Sequence, residues 1–294
     1  MIIKPGKKVL LSWMDCYVPE KDLFFLSKEH LDYEFDFTDV LLMPKEEFYN
    51  HSTYRQVNYV NGYEYWNIKN VDYVIIANKE WIETIPEDKK RFLLNAQVQS
   101  GRGLVFPVSF VHDMAEIPAS YVIDGDVILQ RYMWEKLNKS CKEQILTTLV
   151  YEWWDKGECE KPPESLPDFL KPYANSFASS QGANCLAAVL FAISKGKQDW
   201  FIYKWVHQKT FLEKLKQYDY EELLTDELHH GDVVLWTEEN GVIQHAAYHL
   251  GEELYFNKDG QTIFNPWKIL SKEQLYKEWE HLTIVKYRPC NELF

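Results

Sequence analysis

The residues best suited to chemistry in this chain are Cys185, His245 and Asn257. Cys185 opens the run "NCLAAVLFAI", which is apolar on every side from Leu186 to Ile193. That pattern predicts a buried helix with only its N-terminal end near a surface. If the helix starts near Asn184, the thiol lies beside unpaired backbone N–H groups and the positive end of the helix dipole, both of which favour thiolate. The plain alternative is a core cysteine packing as a small hydrophobe. His245 weighs against that alternative. It falls in "GVIQHAAYHL", where strand alternation puts Ile243, His245, Ala247 and His249 on one face. A small neighbour such as Ala247 leaves room for another element to approach. A three-residue hairpin loop over 250–252 places Asn257 directly opposite His245, and a two-residue loop places Lys258 there instead. Opposite Asn257, the imidazole is within reach of an amide that orients it. The His can then take the thiol proton, with Asp259 the runner-up for the orienting role.

Residues from about 170 to 265 resemble the NlpC-type papain-like cysteine peptidases. Pro172-Tyr173 stands twelve residues ahead of Cys185, where that family has a "PY" pair before its nucleophile. "GDVVLW" at 231–236 matches a "GDLVFF"-like strand, and "HAAYHLG" at 245–251 matches a "HVGIYLG"-like strand. The third polar member stands twelve residues after the His, the place of Asn257. The resemblance implies a Cys185–His245–Asn257 triad, with the Tyr173 hydroxyl helping to bind the substrate carbonyl or oxyanion. Asn184 replaces the family's Asp, Leu186-Ala187 replaces Ser-Gly, and Asn257 stands where His is more usual. Cell-wall stem peptides, cut beside a γ-linked D-glutamate, are the family's best-known substrates.

The elements that must carry these residues fall on either side of "KGECEKPPESLPDF" (156–169), where Gly157, the prolines and the charges break the pattern. Before the break, "KVLLSW" (8–13), "DVLLM" (39–43), "YVIIA" (73–77) and "GLVFP" (103–107) are of strand length. A helix over 84–101 is predicted from a Thr84/Glu87 capping box and a Gly101 stop, with Phe92, Leu93 and Ala96 on one face. Strand, helix, strand at this spacing predicts a crossover unit. A second helix is expected from a Ser140/Glu143 cap to Gly157. After the break come two helical stretches, one from Cys185 and one near 200–217. Strands follow at 232–236, 242–250, 253–257, 261–264 and 283–288, an α+β order. The expected fold is therefore an α/β N-terminal domain (1–158) with a mixed or parallel sheet and no assigned function. A papain-like (NlpC-type) α+β domain (159–294) follows it.

Composition narrows the function further. A net charge of -13 and a pI near 5.2 exclude a nucleic-acid partner as an expectation, because phosphate contacts need clustered Lys and Arg. No run approaches the roughly eighteen apolar residues of a membrane span. The apolar stretch before Asp15 is too short for a signal-peptide core, so a cytoplasmic location is expected. Five widely spaced cysteines without C-x-x-C read as free thiols. Three further motifs read as structural. "LVYEWWDKGE" has Tyr151 and Asp155 where a zinc-peptidase helix needs histidines. His229 and His230 are adjacent and so point apart on extended chain. "SGRG" at 100–103 is a helix stop. No metal or cofactor is expected. The sequence thus predicts a cysteine peptidase or amidase acting on a peptide or small amide through a thioacyl intermediate. A thiol acyltransferase and a non-catalytic binding module on the same fold are the alternatives.

Overall fold

The structure is a computed structural model and describes residues 1–31 and 38–290. By backbone contacts the chain divides into two compact units, Leu10–Leu149 and Met1–Val9 with Val150–Phe294. The border therefore falls at 149/150 and not at 158/159, and the first nine residues belong with the C-terminal unit. The physical reason is local pairing. Ile2 bridges Glu158, and Ile3 N–H donates to Gly157 O at 2.8 Å.

In the unit Leu10–Leu149, the run expected as a first strand is instead helix α1 (Lys7–Cys16), which begins just before the unit border. Leu10, Trp13 and Met14 are its buried positions, at helical spacing. The first strand is β1 (Lys21–Leu26), a run not expected as a strand. It pairs antiparallel with β3 (Tyr73–Asn78), and β3 pairs antiparallel with β2 (Leu41–Pro44). Helix α2 (Glu87–Ser100) buries Leu93, Leu94 and Ala96 and ends at Gly101 in the left-handed region, φ 72°. Its expected capping box does not form: Pro86 precedes the helix, and Thr84 Oγ1 donates to Trp81 O instead. Beyond α2 the chain enters a separate sheet, in which β4 (Val105–Pro107) and β5 (Val122–Ile123) each pair antiparallel with β6 (Asp126–Ile128). Because β3 and β4 lie in different sheets, the expected crossover is absent. The mixed or parallel sheet is corrected to antiparallel pairing throughout the described residues. Helix α3 (Lys139–Leu149) is capped by Asn138, whose Oδ1 accepts from Cys141 N–H at 2.9 Å, and not by Ser140. A π-helical turn, Val150–Trp154, follows it in the other unit.

The unit built on Val150–Phe294 centres on a six-stranded antiparallel sheet in the order β11-β10-β9-β8-β12-β7. Its strands are β7 (Tyr220–Glu222), β8 (Val233–Thr237), β9 (Ile243–Gly251), β10 (Leu254–Lys258), β11 (Trp267–Ser271) and β12 (Thr283–Pro289). The run 261–264, expected as a strand, is a turn tied by Asn265 Oδ1 to Thr262; the strand begins at Trp267. Helices α4 (Cys185–Ile193) and α5 (Gln208–Gln217) lie on one face, packed against Val233, Leu235, Ala246, Phe256 and Ile269. Helix α6 (Lys272–Glu278) covers the other face, where Val234, Trp236, Ala247, Tyr255 and Leu270 pack around Leu275. Among the described residues no helix is long and apolar enough to cross a membrane.

Candidate active site

Cys185 is the first residue of α4. Asn184 is the N-cap: its Oδ1 accepts from Ala187 N–H at 3.1 Å. The same side chain donates through Nδ2 to Val206 O at 3.0 Å and accepts from Val206 N–H at 3.3 Å, anchoring the helix start to the loop that leads into α5. An amide in place of a carboxylate is suited to this because it accepts and donates at once. The thiol is buried, 9% exposed. Three backbone N–H groups favour its ionised form: those of Cys185 and Leu186, at the unpaired helix start, and that of Ala246 on β9. Burial nevertheless wins and pushes the thiol up to about 11.

His245 and Asn257 are brought together, but not as the hairpin argument expects. The turn consists of Glu252 and Glu253, both with positive φ, and Leu254 pairs with Gly251. A bulge then shifts the register to Tyr255↔His249 and Phe256↔Tyr248. Continued, that register sets Ala247 opposite Asn257, so the expected His245–Asn257 pairing is corrected to a diagonal one. The side chains still meet, with Asn257 Nδ2 at 3.3 Å from His245 Nε2. A second bulge, at Gln244, separates the pairs Trp236↔His245 and Thr237↔Ile243. It turns Ile243 to the face of α4, so Ile243 does not share the face of His245, Ala247 and His249. Bulges re-aim side chains where regular alternation would not.

The two faces of β9 decide how thiol and imidazole approach each other. Ala246 stands opposite Leu235, and both pack in the core that contains Cys185. His245 stands opposite Trp236 on the other face, with its ring 5.6 Å from the Trp236 ring and stacked on Trp279 at 4.7 Å and 9°. Helix α4 thus packs on the Ala246 face and not over His245 and Ala247. The β9–β10 ladder stops at Phe256↔Tyr248, short of Ala246, whose N–H favours the ionised thiol. Ala246, the residue after His245 in sequence, is thus the β9 residue nearest the thiol in the interactions that act on it. No hydrogen bond joins thiol and imidazole, since His245 Nδ1 is buried without a partner. Burial lowers the imidazole to about 4, partly offset by Asp259, so the resting pair is neutral.

A buried ionic chain extends from Asn257. Its Nδ2 donates to Asp259 Oδ1 at 2.8 Å, Lys268 Nζ lies 3.0 Å from Asp259 Oδ2, and the same ammonium lies 2.8 Å from Asp155 Oδ2. Lys258, on the α4 face, donates to the carbonyls of Gly260, Thr262 and Asn265 at 2.7, 3.0 and 2.6 Å and so pins the 260–265 turn. Burial lowers it to about 7. The Tyr173 ring packs on Phe191 of α4 and on Trp267 of β11, and its hydroxyl is bonded to that of Tyr203 at 3.0 Å. His249 is held through Nδ1 to His229 O at 2.8 Å. A cavity of about 640 Å³ opens near the far end of α4, between Phe169, Lys195, His230, Tyr248 and Arg288.

The sequence reading missed Trp279, Lys268 and the bonding role of Asp155. Only Asp155 stood in a motif it weighed, and there as a failed zinc ligand. Among the described residues no cluster of three or more His, Cys, Asp or Glu is arranged to hold a metal ion. No protein-family model, curated protein or solved structure matches the chain.

Proposed function

We propose that the C-terminal unit is a papain-like cysteine hydrolase of peptide or small amide bonds. The observation that carries this reading is the His245–Asn257 contact on the strand whose next N–H, that of Ala246, favours the ionised Cys185 thiol. In this reading Cys185 attacks the carbonyl carbon, and the oxyanion is received by the N–H groups of Cys185 and Leu186 at the start of α4. His245 takes the thiol proton and returns it to the leaving amine. The thioacyl bond to Cys185 is then broken by water. Donation of the acyl group to another acceptor would make the same site an acyltransferase.

A second reading, a non-catalytic binding module, is favoured by one observation: thiol and imidazole are both neutral and not bonded to each other at rest. Incubation with p-nitrophenyl esters and with peptide amides, including γ-linked D-glutamyl peptides, separates the two. The hydrolase gives a burst of p-nitrophenol with an acyl mass on Cys185, and both are lost in Cys185→Ala. Release that is unchanged in Cys185→Ala would leave the binding module.

A further inference from the structure

We infer that Asp259, acting through the Asn257 amide, holds His245 in the tautomer that carries its proton on Nδ1. Lys268 anchors the contacts that lead to His245. Its ammonium lies between Asp155 Oδ2 at 2.8 Å and Asp259 Oδ2 at 3.0 Å. An ionised carboxylate only accepts, so the Asn257 atom 2.8 Å from Asp259 Oδ1 is the NH₂ nitrogen. Turning the amide over would set two oxygens against each other at that distance. The same nitrogen faces His245 Nε2 at 3.3 Å and presents a donor to it. Nε2 must therefore offer its lone pair. A neutral imidazole carries one proton, and that proton is left for Nδ1.

Burial keeps the ring neutral. His245 is 1% exposed and lies between Trp236 and Trp279. Two groups are unsatisfied in this arrangement: His245 Nδ1 and Asn257 Oδ1, both buried without a partner. Reversing the amide would give Oδ1 a partner in Nε2–H and leave Nδ1 free as a base. The site thus holds a second arrangement of the same atoms, and the Asp259 carboxylate selects against it.

The catalytic consequence rests on the hydrolase reading. At rest His245 is a donor at Nδ1 and cannot take the thiol proton there. Activation requires Asp259 to release the Asn257 nitrogen, so Asp259 is a positioning residue that keeps the nucleophile off.

Nitrogen-15 NMR of histidine-labelled protein tests this, with the His245 signals assigned by their loss in His245→Gln. The wild-type protein at pH 7.5 is expected to carry the proton on Nδ1, and Asp259→Asn is expected to populate the Nε2–H form. An Nε2–H ring in the wild type would overturn the inference, as would a folded Asp259→Asn protein with the wild-type tautomer. Iodoacetamide labelling of Cys185 addresses the hydrolase reading separately. Asp259→Asn is expected to label about tenfold faster, the gain in thiolate from one unit of pKa. That gain should vanish in the His245→Gln background, where loss of the carboxylate's charge alone would persist. A tautomer that moves without a His245-dependent gain supports the inference and contradicts the hydrolase reading.

Discussion

His245 is buried without a charge, and that has a measurable effect on stability. Its folded pKa is depressed to about 4 from an ordinary 6.5. The unfolded chain therefore binds more protons between those values, and stability falls as pH drops from 6.5 towards 4 while staying flat above. The loss attributable to this residue is about 3 kcal/mol. Urea unfolding at pH 7 and pH 4.5 checks it: His245→Gln should lose markedly less stability on acidification than the wild type. Equal losses would mean that the ring is not held neutral by burial. The three chemical residues were legible in the sequence because their types and spacing are unusual together. The contacts that govern them were not. Trp279 sits in "YKEWEHL", where nothing marks it as the ring stacked on His245. Asp155 and Lys268 are 113 residues apart in sequence, and only folding reveals that they share an ion pair.

Among the elements, α4 and the strands around it follow the sequence closely. An apolar run after an Asn cap gives the helix, and turn residues bound strands β8 to β10. The failures have physical causes. "KVLLSW" is short enough to suit a strand, but its buried positions recur at helical spacing. "KDLFFL" carries charge at its edge and lacks strand alternation, yet it becomes a strand with five buried residues. The bulges at Gln244 and at Leu250 cannot be read from alternation, since one inserted residue changes the face of everything beyond it. The turn between β9 and β10 yields a test. Glu252 and Glu253 hold φ of 50° and 59°, a conformation suited to Asn-Gly. Replacing them together with Asn and Gly should relieve left-handed strain of roughly 1 kcal/mol per residue, less the exposed Glu253–Lys272 pair. A higher melting temperature is expected; a lower one would place the hairpin turn elsewhere.

At the scale of the whole molecule, the chain leaves the C-terminal unit after Val9 and returns to it at Val150. Gly157 is a sensitive point in that arrangement. Its φ is 74°, and an added Cβ would fall 2.3 Å from Ile3 O. Gly157→Ala should therefore detach the N-terminal residues, costing roughly 1–3 kcal/mol and exposing them to proteolysis. Wild-type stability in that variant would show that residues 1–9 do not pack on this unit. The break at 156–169 is visible in composition, yet the border lies earlier, because bridges from Ile2 and Ile3 to 157–158 leave no mark in either segment.

The central claim is that Cys185 and His245 act on each other, and the most direct measurement is the rate of iodoacetamide labelling at Cys185 across pH. It should be read by mass spectrometry in the wild type, in Asp259→Asn and in Asp259→Asn with His245→Ala. A thiol raised to about 11 predicts labelling that climbs through the alkaline range with no plateau at pH 6. In the Asp259→Asn background at pH 7 the rate is expected to fall about tenfold when His245→Ala is added, as when a general acid–base partner is lost. Equal rates in the two Asp259→Asn proteins at every pH would contradict the account and leave Cys185 a core residue.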